Sequence, residues 1–204
     1  MQGVLFALLP GTLTYVVLIS PAILIQIILC SITALAVEAA VLKLRQRPIA
    51  NTLSDNSALV TAWLLALAIP PFAPWWIAIT GTAFAMLLAK HVYGGLGHNP
   101  FNPAMAGYAF LIVSFPLQMT QWTTPLLGAS TATPGLIDSL SLIFGGDTLA
   151  LPQWDAITRA TPLDRLKQSA TDITEIHGLF GAHTWEWINL AWLAGGLWLS
   201  LIHI

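Results

Sequence analysis

The chain has 204 residues, 56% of them hydrophobic and 8% charged, with a mean hydropathy of +0.77, a composition that excludes an ordinary soluble domain and points to an integral membrane protein. A net charge of −2 with seven basic residues leaves no phosphate-tracking stripe and excludes nucleic acid as a partner. The lone cysteine, Cys30, lies in an apolar run, so an internal disulfide and a thiolate metal cluster are excluded and a packing role remains.

Crossing the hydrocarbon core as a helix takes roughly 20 apolar residues, fewer where a broken helix is shielded by its neighbours. Segments 4–20, 21–42, 57–70, 72–90, 104–120 and 185–204 meet that requirement. The expected fold class is therefore an all-α polytopic membrane protein of five to six transmembrane or broken helices in the lipid bilayer. The N-terminus has no basic n-region and no small-residue cleavage site, and reads as a first span entered directly.

The second segment carries Glu38, an acid well inside its span. An intramembrane carboxylate is a candidate for an ion path. The competing reading is snorkelling or pairing at the membrane edge, about one turn from Lys43. The third segment is short, begins after "NTLSDNS" and is closed by Pro70 and Pro71. Asp55, Asn56 or Ser57 can cap it, and the prolines forbid its continuation. Such a helix suits either a broken transport helix or a tight helical hairpin. Asp55 stays open between helix cap and cation ligand.

Lys43, Arg45 and Arg47 form the densest basic cluster and place the loop after the second span in the cytoplasm. By alternation the N-terminus is cytoplasmic, the Pro70-Pro71 turn external, the loop 91–103 internal with Lys90 at its edge, and segment 121–184 external. That internal stretch, "KHVYGGLGHNPFNPAMAGYAF", reads as a compact re-entry loop able to line an ion path or the edge of a flat cofactor. It lacks dinucleotide-fingerprint spacing. Its single Asn102-Pro103-Ala104 is half of what an aquaporin pore needs. His91 and His98 have no partner cluster, so no metal site is assigned.

Domain organisation follows: membrane helices over 1–120, an external region over 121–184, and the start of a further helix over 185–204. The external region holds Arg159, Arg165 and Lys167 and most of the acids. Trp122, Trp154, Trp185 and Trp187 flank it, as aromatic rings do at a headgroup layer. A long ordered loop is usually functional. It contains "STATP" (130–134) and "TRATP" (158–162), in each of which proline holds the preceding threonine extended. Thr161 has Asp155 six positions before it and Asp164 three after; Thr133 has Leu127 and Leu136 there. A hydroxyl needs a neighbouring proton acceptor or cation to react, so the residues alone leave Thr161 open between a modifiable threonine and an ordinary turn before a short helix.

The stretches "LSDNSALVTAWLLALAIPPFAPWW", "KHVYGGLGHNPFNPAMAGY", "SFPLQMT", "ATPLD" and "WINLAWLAGGLW" resemble the D-type membrane subunits of the Rnf (Rsx) ion-translocating electron-transport complex. These are related to the B-type subunit of the sodium-pumping NADH:quinone reductase. The likeness covers essentially the whole chain. It implies FMN bound covalently through its phosphate to a threonine in a motif Asp-(Gly/Ala)-x-(Ser/Thr)-x-Ala-Thr. Asp155, Thr158, Ala160 and Thr161 match it, with Thr158 where serine is more usual, whereas "STATP" lacks the aspartate. The resemblance further implies a flavin transferase for maturation, the other Rnf subunits as partners, and electron relay between ferredoxin and NAD⁺ coupled to Na⁺ or H⁺. It implies a multi-pass protein of the bacterial inner membrane with a periplasmic flavin site. Family members continue through a second half resembling an inverted repeat, so a C-terminally truncated chain is expected, with a second flavin belonging to the complete protein. The alternative is a urea-transporter-like channel or permease without a redox role.

Overall fold

The computed structural model describes residues 1–93, 99–122, 135–145 and 183–203. Among them every regular element is a helix: α1 (Gln2–Leu18), α2 (Ala22–Leu44), α3 (Ile49–Leu53), α4 (Ser57–Ala68), α5 (Trp75–Phe84) running into a π-helical turn (Ala85–His91), α6 (Pro103–Ser114), α7 (Pro116–Met119), α8 (Leu136–Phe144) and α9 (His183–His203). The all-α expectation is met.

Local chemistry sets the boundaries. Ser20 Oγ accepts the Ala22 amide at 3.1 Å as α2 begins. At the other end, Gln46 adopts φ 53 while the Gln46 amide bonds Lys43 O and the Arg47 amide bonds Leu42 O. This paired closure, with a left-handed residue just past the helix, satisfies two carbonyls that would otherwise be orphaned. The fourth predicted segment becomes helical at Trp75 rather than Phe72, because Pro70, Pro71 and Pro74 forbid helix before it. The fifth breaks at Phe115, immediately before Pro116, as the residue before proline is steered out of the helical region. Expected segment 104–120 is thus two helices, α6 and α7.

Helix α2 lies at the centre, packed on α4 and α5, while α6 packs on α4 and α5 and α1 pairs with α9. The main core joins Tyr15, Ile19, Ile23, Ile27, Cys30, Leu65, Ile69, Ile77, Met86 and Leu111; Cys30 is buried and free, as its apolar setting predicts. Helices α5 and α6 approach closely at Gly107, where a Cβ would come within 2.9 Å of Gly81 O. Phe84 and Phe110 stack there at 4.2 Å. The outward faces stay apolar: Phe6, Leu13 and Val17 on α1, Ile28 and Ile32 on α2, and Leu193, Leu197 and Leu201 on α9 are exposed. Among the described helices α2 alone is both long and apolar enough to cross a membrane, and α1, α4 and α6 are shorter apolar helices.

Candidate functional site

The predicted flavin residues Asp155, Thr158, Ala160, Thr161 and Asp164, together with Thr133, Trp154 and the glycines at 94, 95 and 97, lie outside the described residues. The two ion-path candidates, Glu38 and Asp55, lie within them and part company.

Glu38 projects from the last third of α2 and is fully buried. Its partner is Lys90, with Nζ 2.5 Å from Glu38 Oε1 and 2.8 Å from Ser57 Oγ. Pairing with Lys43 does not occur: five residues on, Lys43 is turned about 140° around the helix and stands exposed. Lys90 stands one residue before the end of the helix, at the expected edge of the loop, but points inward. The π-helical turn continues α5 through His91 and buries both Lys90 and His91 against α2. Glu38 and Lys90 are the two buried charged side chains among the described residues apart from the titratable His91. Taking such charges out of water is costly unless they are paired and hydrogen-bonded.

His91 closes the other side of the pair, with Nε2 4.0 Å from Glu38 Oε1. Arg45 donates to the His91 carbonyl at 2.8 Å, so the end of α2 ties down the end of the π-helical turn. That bond occupies one of the carbonyls a helix end leaves without an intrahelical partner.

Asp55 is exposed, and its Oδ1 accepts the Ser57 amide at 2.6 Å beside Asn56, which is held at φ 60. Asp55, the residue before the N-cap Asn56, thus satisfies the first free amide of α4 and holds the backbone of Ser57, whose hydroxyl meets Lys90. The Asn102-Pro103-Ala104 tripeptide is also a helix start: Asn102 Oδ1 accepts the Ala104 amide at 3.0 Å and Pro103 takes the first helical position. No group of three or more metal-ligating side chains occurs among the described residues.

A third polar anchor, Gln26, is buried on α2 and donates to Pro71 O at 3.2 Å and Ala73 O at 2.6 Å. It fixes the double-proline turn against the helix. The grouping of Lys90, Ser57 and His91 around Glu38, and the part played by Gln26, escaped the sequence reading. For Lys90 the usable signal was a second charge at the end of an apolar run, facing Glu38 in a chain whose spans alternate in direction.

These features define an all-α helical protein with apolar outward faces and, among the described residues, one buried carboxylate–ammonium site at the junction of three elements. The chain belongs to the NQR2, RnfD, RnfE family, whose model matches residues 1–204, which bears out the resemblance read from its motifs. It is 49% identical over 217 residues to the D-type subunit of the ion-translocating oxidoreductase complex of Escherichia fergusonii, covering 98% of the chain and 61% of that protein. It is 50% identical over 215 residues to the protein of the same name from Citrobacter koseri, again covering 98% and 61%. An Escherichia coli protein of that name is 47% identical over 212 residues, covering 96% and 60%. The chain thus spans about three fifths of the length of these curated relatives.

Proposed function

We propose that the chain belongs to the D-type membrane subunit of an Rnf-type ion-translocating electron-transport complex, and that it carries FMN esterified to Thr161. The observation that carries this reading is the near-half identity to proteins named as that component across almost the whole chain. It is joined by the Asp155-Ala156-Ile157-Thr158-Arg159-Ala160-Thr161 run, which the flavin attachment motif of the family predicts.

A polytopic arrangement in the bacterial inner membrane is supported by the outward apolar faces of α1, α2 and α9, since contiguous exposed apolar surface of this extent is unfavourable in water and favoured in hydrocarbon. The basic cluster after α2 supports a cytoplasmic position for that end of the helix, with region 121–184 on the periplasmic side.

In this reading FMN supplies one-electron transfer between partner subunits, while the protein supplies position and electrostatics. The Thr161 hydroxyl is an anchor: an ester bond keeps the cofactor from being lost at a site open to the periplasm. Asp155 and Asp164 flank the hydroxyl in sequence, Pro162 follows it directly, and a flavin transferase installs the group. Electrons pass between ferredoxin and NAD⁺ through the whole complex, coupled to Na⁺ or H⁺ movement.

In-gel flavin fluorescence of the denatured protein tests the proposal. Fluorescence is expected in the unaltered protein and in Thr133→Ala, and is expected to vanish in Thr161→Ala. A dark unaltered band is the result a simple permease would give and would refute the flavin.

A further inference from the structure

The buried charges where α2, α4 and the π-helical turn meet are untouched by the flavin chemistry. Lys90 Nζ engages one oxygen of the Glu38 carboxylate and the Ser57 hydroxyl. The other oxygen, Oε2, is buried with no hydrogen-bond partner, and so is His91 Nε2. A carboxylate offers about four acceptor positions, so this one is only partly used, and its direct counter-charge is a side chain of the same protein. The groups facing it are Ser57 from α4 and Lys90 and His91 from the π-helical turn. Arg45, further along α2, is directed to the His91 backbone carbonyl, while Lys43 and Asp55 are exposed.

We propose that Lys90 is a built-in cation filling a Glu38 site for one positive charge, so that a free cation, an alkali ion or a proton, binds Glu38 only in exchange for the Lys90 ammonium.

Electrostatics makes the exchange exclusive. In a low-dielectric interior a second positive charge beside the carboxylate would be repelled by Lys90, which opposes double occupancy of a site built with one negative charge. An empty carboxylate is also unfavourable there. Lysine is suited to leave, because its ammonium is a compact point charge on a flexible four-carbon stem. Ser57, which also engages it, is neutral and contributes a hydrogen bond. The backbone provides a route: π-helical turns are rare and concentrate at functional sites. Relaxing this one to α-helix by one residue would rotate Lys90 by about 100° relative to α2. The unpartnered Glu38 Oε2 leaves an acceptor oxygen for an incoming charge, and the unpartnered His91 Nε2 lies 4.0 Å from Oε1. The exchange gives ion coupling a chemical site and rests on the membrane-subunit reading for its use in transport, whereas occupancy of the site does not depend on Thr161.

Hydrogen–deuterium exchange of peptides covering the second half of α2 and the π-helical turn, in the intact detergent-purified complex, tests the exchange. Sodium, potassium and choline are compared at constant ionic strength, and a pH series in choline is corrected for intrinsic rates. Unaltered protein is expected to change little among the three salts, because one cation only replaces another at Glu38. Lys90→Met is expected to exchange faster in choline. It should then be slowed about tenfold by sodium or potassium if an alkali ion takes the site, or by acidification in choline if a proton does. The double variant Glu38→Gln with Lys90→Met is expected to be protected in every condition. A sodium- or potassium-dependent slowing of the unaltered junction as large as that in Lys90→Met would overturn the proposal, because a cation would then enter with Lys90 still in place. So would a Lys90→Met variant indifferent to both cations and pH. Should Lys90→Met fail to assemble in any salt or at any pH while the double variant assembles, no free cation replaces Lys90 and the proposal falls. A positive or negative outcome is independent of flavin at Thr161, which fluorescence reports separately.

Discussion

The pairing of α1 with α9 and the junction of α2 with α4 and α5 use nearly the same apolar alphabet and hold together by different physics. In the first, fit is steric. Gly195 lies against the Ala7 carbonyl and Gly11 lies under the Trp192 indole, leaving no room for a Cβ at either glycine. In the second, apolar packing around Ile23, Ile27 and Leu65 is pinned by Gln26 at one end and by the Glu38–Lys90 pair towards the other. Small residues let helices approach closely without a charge between them. Buried ion pairs contribute little net stability, yet they make the interface intolerant of losing either partner.

That contrast can be broken most severely at the charge pair. Lys90→Met or Glu38→Leu alone leaves a buried uncompensated charge and is expected to destabilise by about 3–5 kcal/mol. Glu38→Gln combined with Lys90→Met should recover most of that loss. A cycle of Glu38→Gln, Lys90→Met, the double variant and the unaltered protein, unfolded in detergent, measures the coupling; additive single effects would mean the two groups are not paired. At the steric interface, Gly195→Val is expected to cost about 1–3 kcal/mol by forcing α9 off the Ala7 carbonyl. Its effect should add to that of the Lys90 variant, since the sites share no partner; strong non-additivity would contradict the separation of the two regions.

Gln26→Leu, which removes the donors to the Pro71 and Ala73 carbonyls, should cost about 1–3 kcal/mol by leaving buried acceptors unsatisfied. Protease cleavage at the double-proline turn is a direct readout, and an uncleaved turn would argue against Gln26 as its anchor. The smallest expected effect is at the cap beneath the charge pair. Asp55→Ala removes the acceptor of the Ser57 amide and should cost about 1 kcal/mol. The loss should show as faster amide exchange confined to the first turn of α4, and unchanged exchange there would contradict the capping role.

The sequence was most informative where the determining chemistry is local. The start of α4 beside Asp55, its closure before Pro70 and the start of α6 at Asn102-Pro103 all follow from capping oxygens and missing proline donors within a few residues. The partner of Glu38 is 52 residues away on another helix, whereas helix periodicity reaches only the i+3 and i+4 neighbours; Lys43, at i+5, was near in sequence but on another face. The π-helical turn that brings Lys90 inward has no local residue signal of comparable strength; Ala85–His91 reads as plain apolar helix. Thr161 is a different case. Its candidacy comes from the motif and the resemblance, in a region outside the described residues.

The proposed role stands on the covalent state of that threonine, and peptide mass spectrometry of the protein taken from the intact complex reads it directly. Trypsin cuts after Arg159 and Arg165 and releases peptide 160–165, which is expected to carry the mass of one esterified FMN, with fragmentation placing it on Thr161. An unmodified 160–165 peptide, accompanied by a flavin-bearing peptide containing Thr133 or by no flavin peptide at all, would contradict the account.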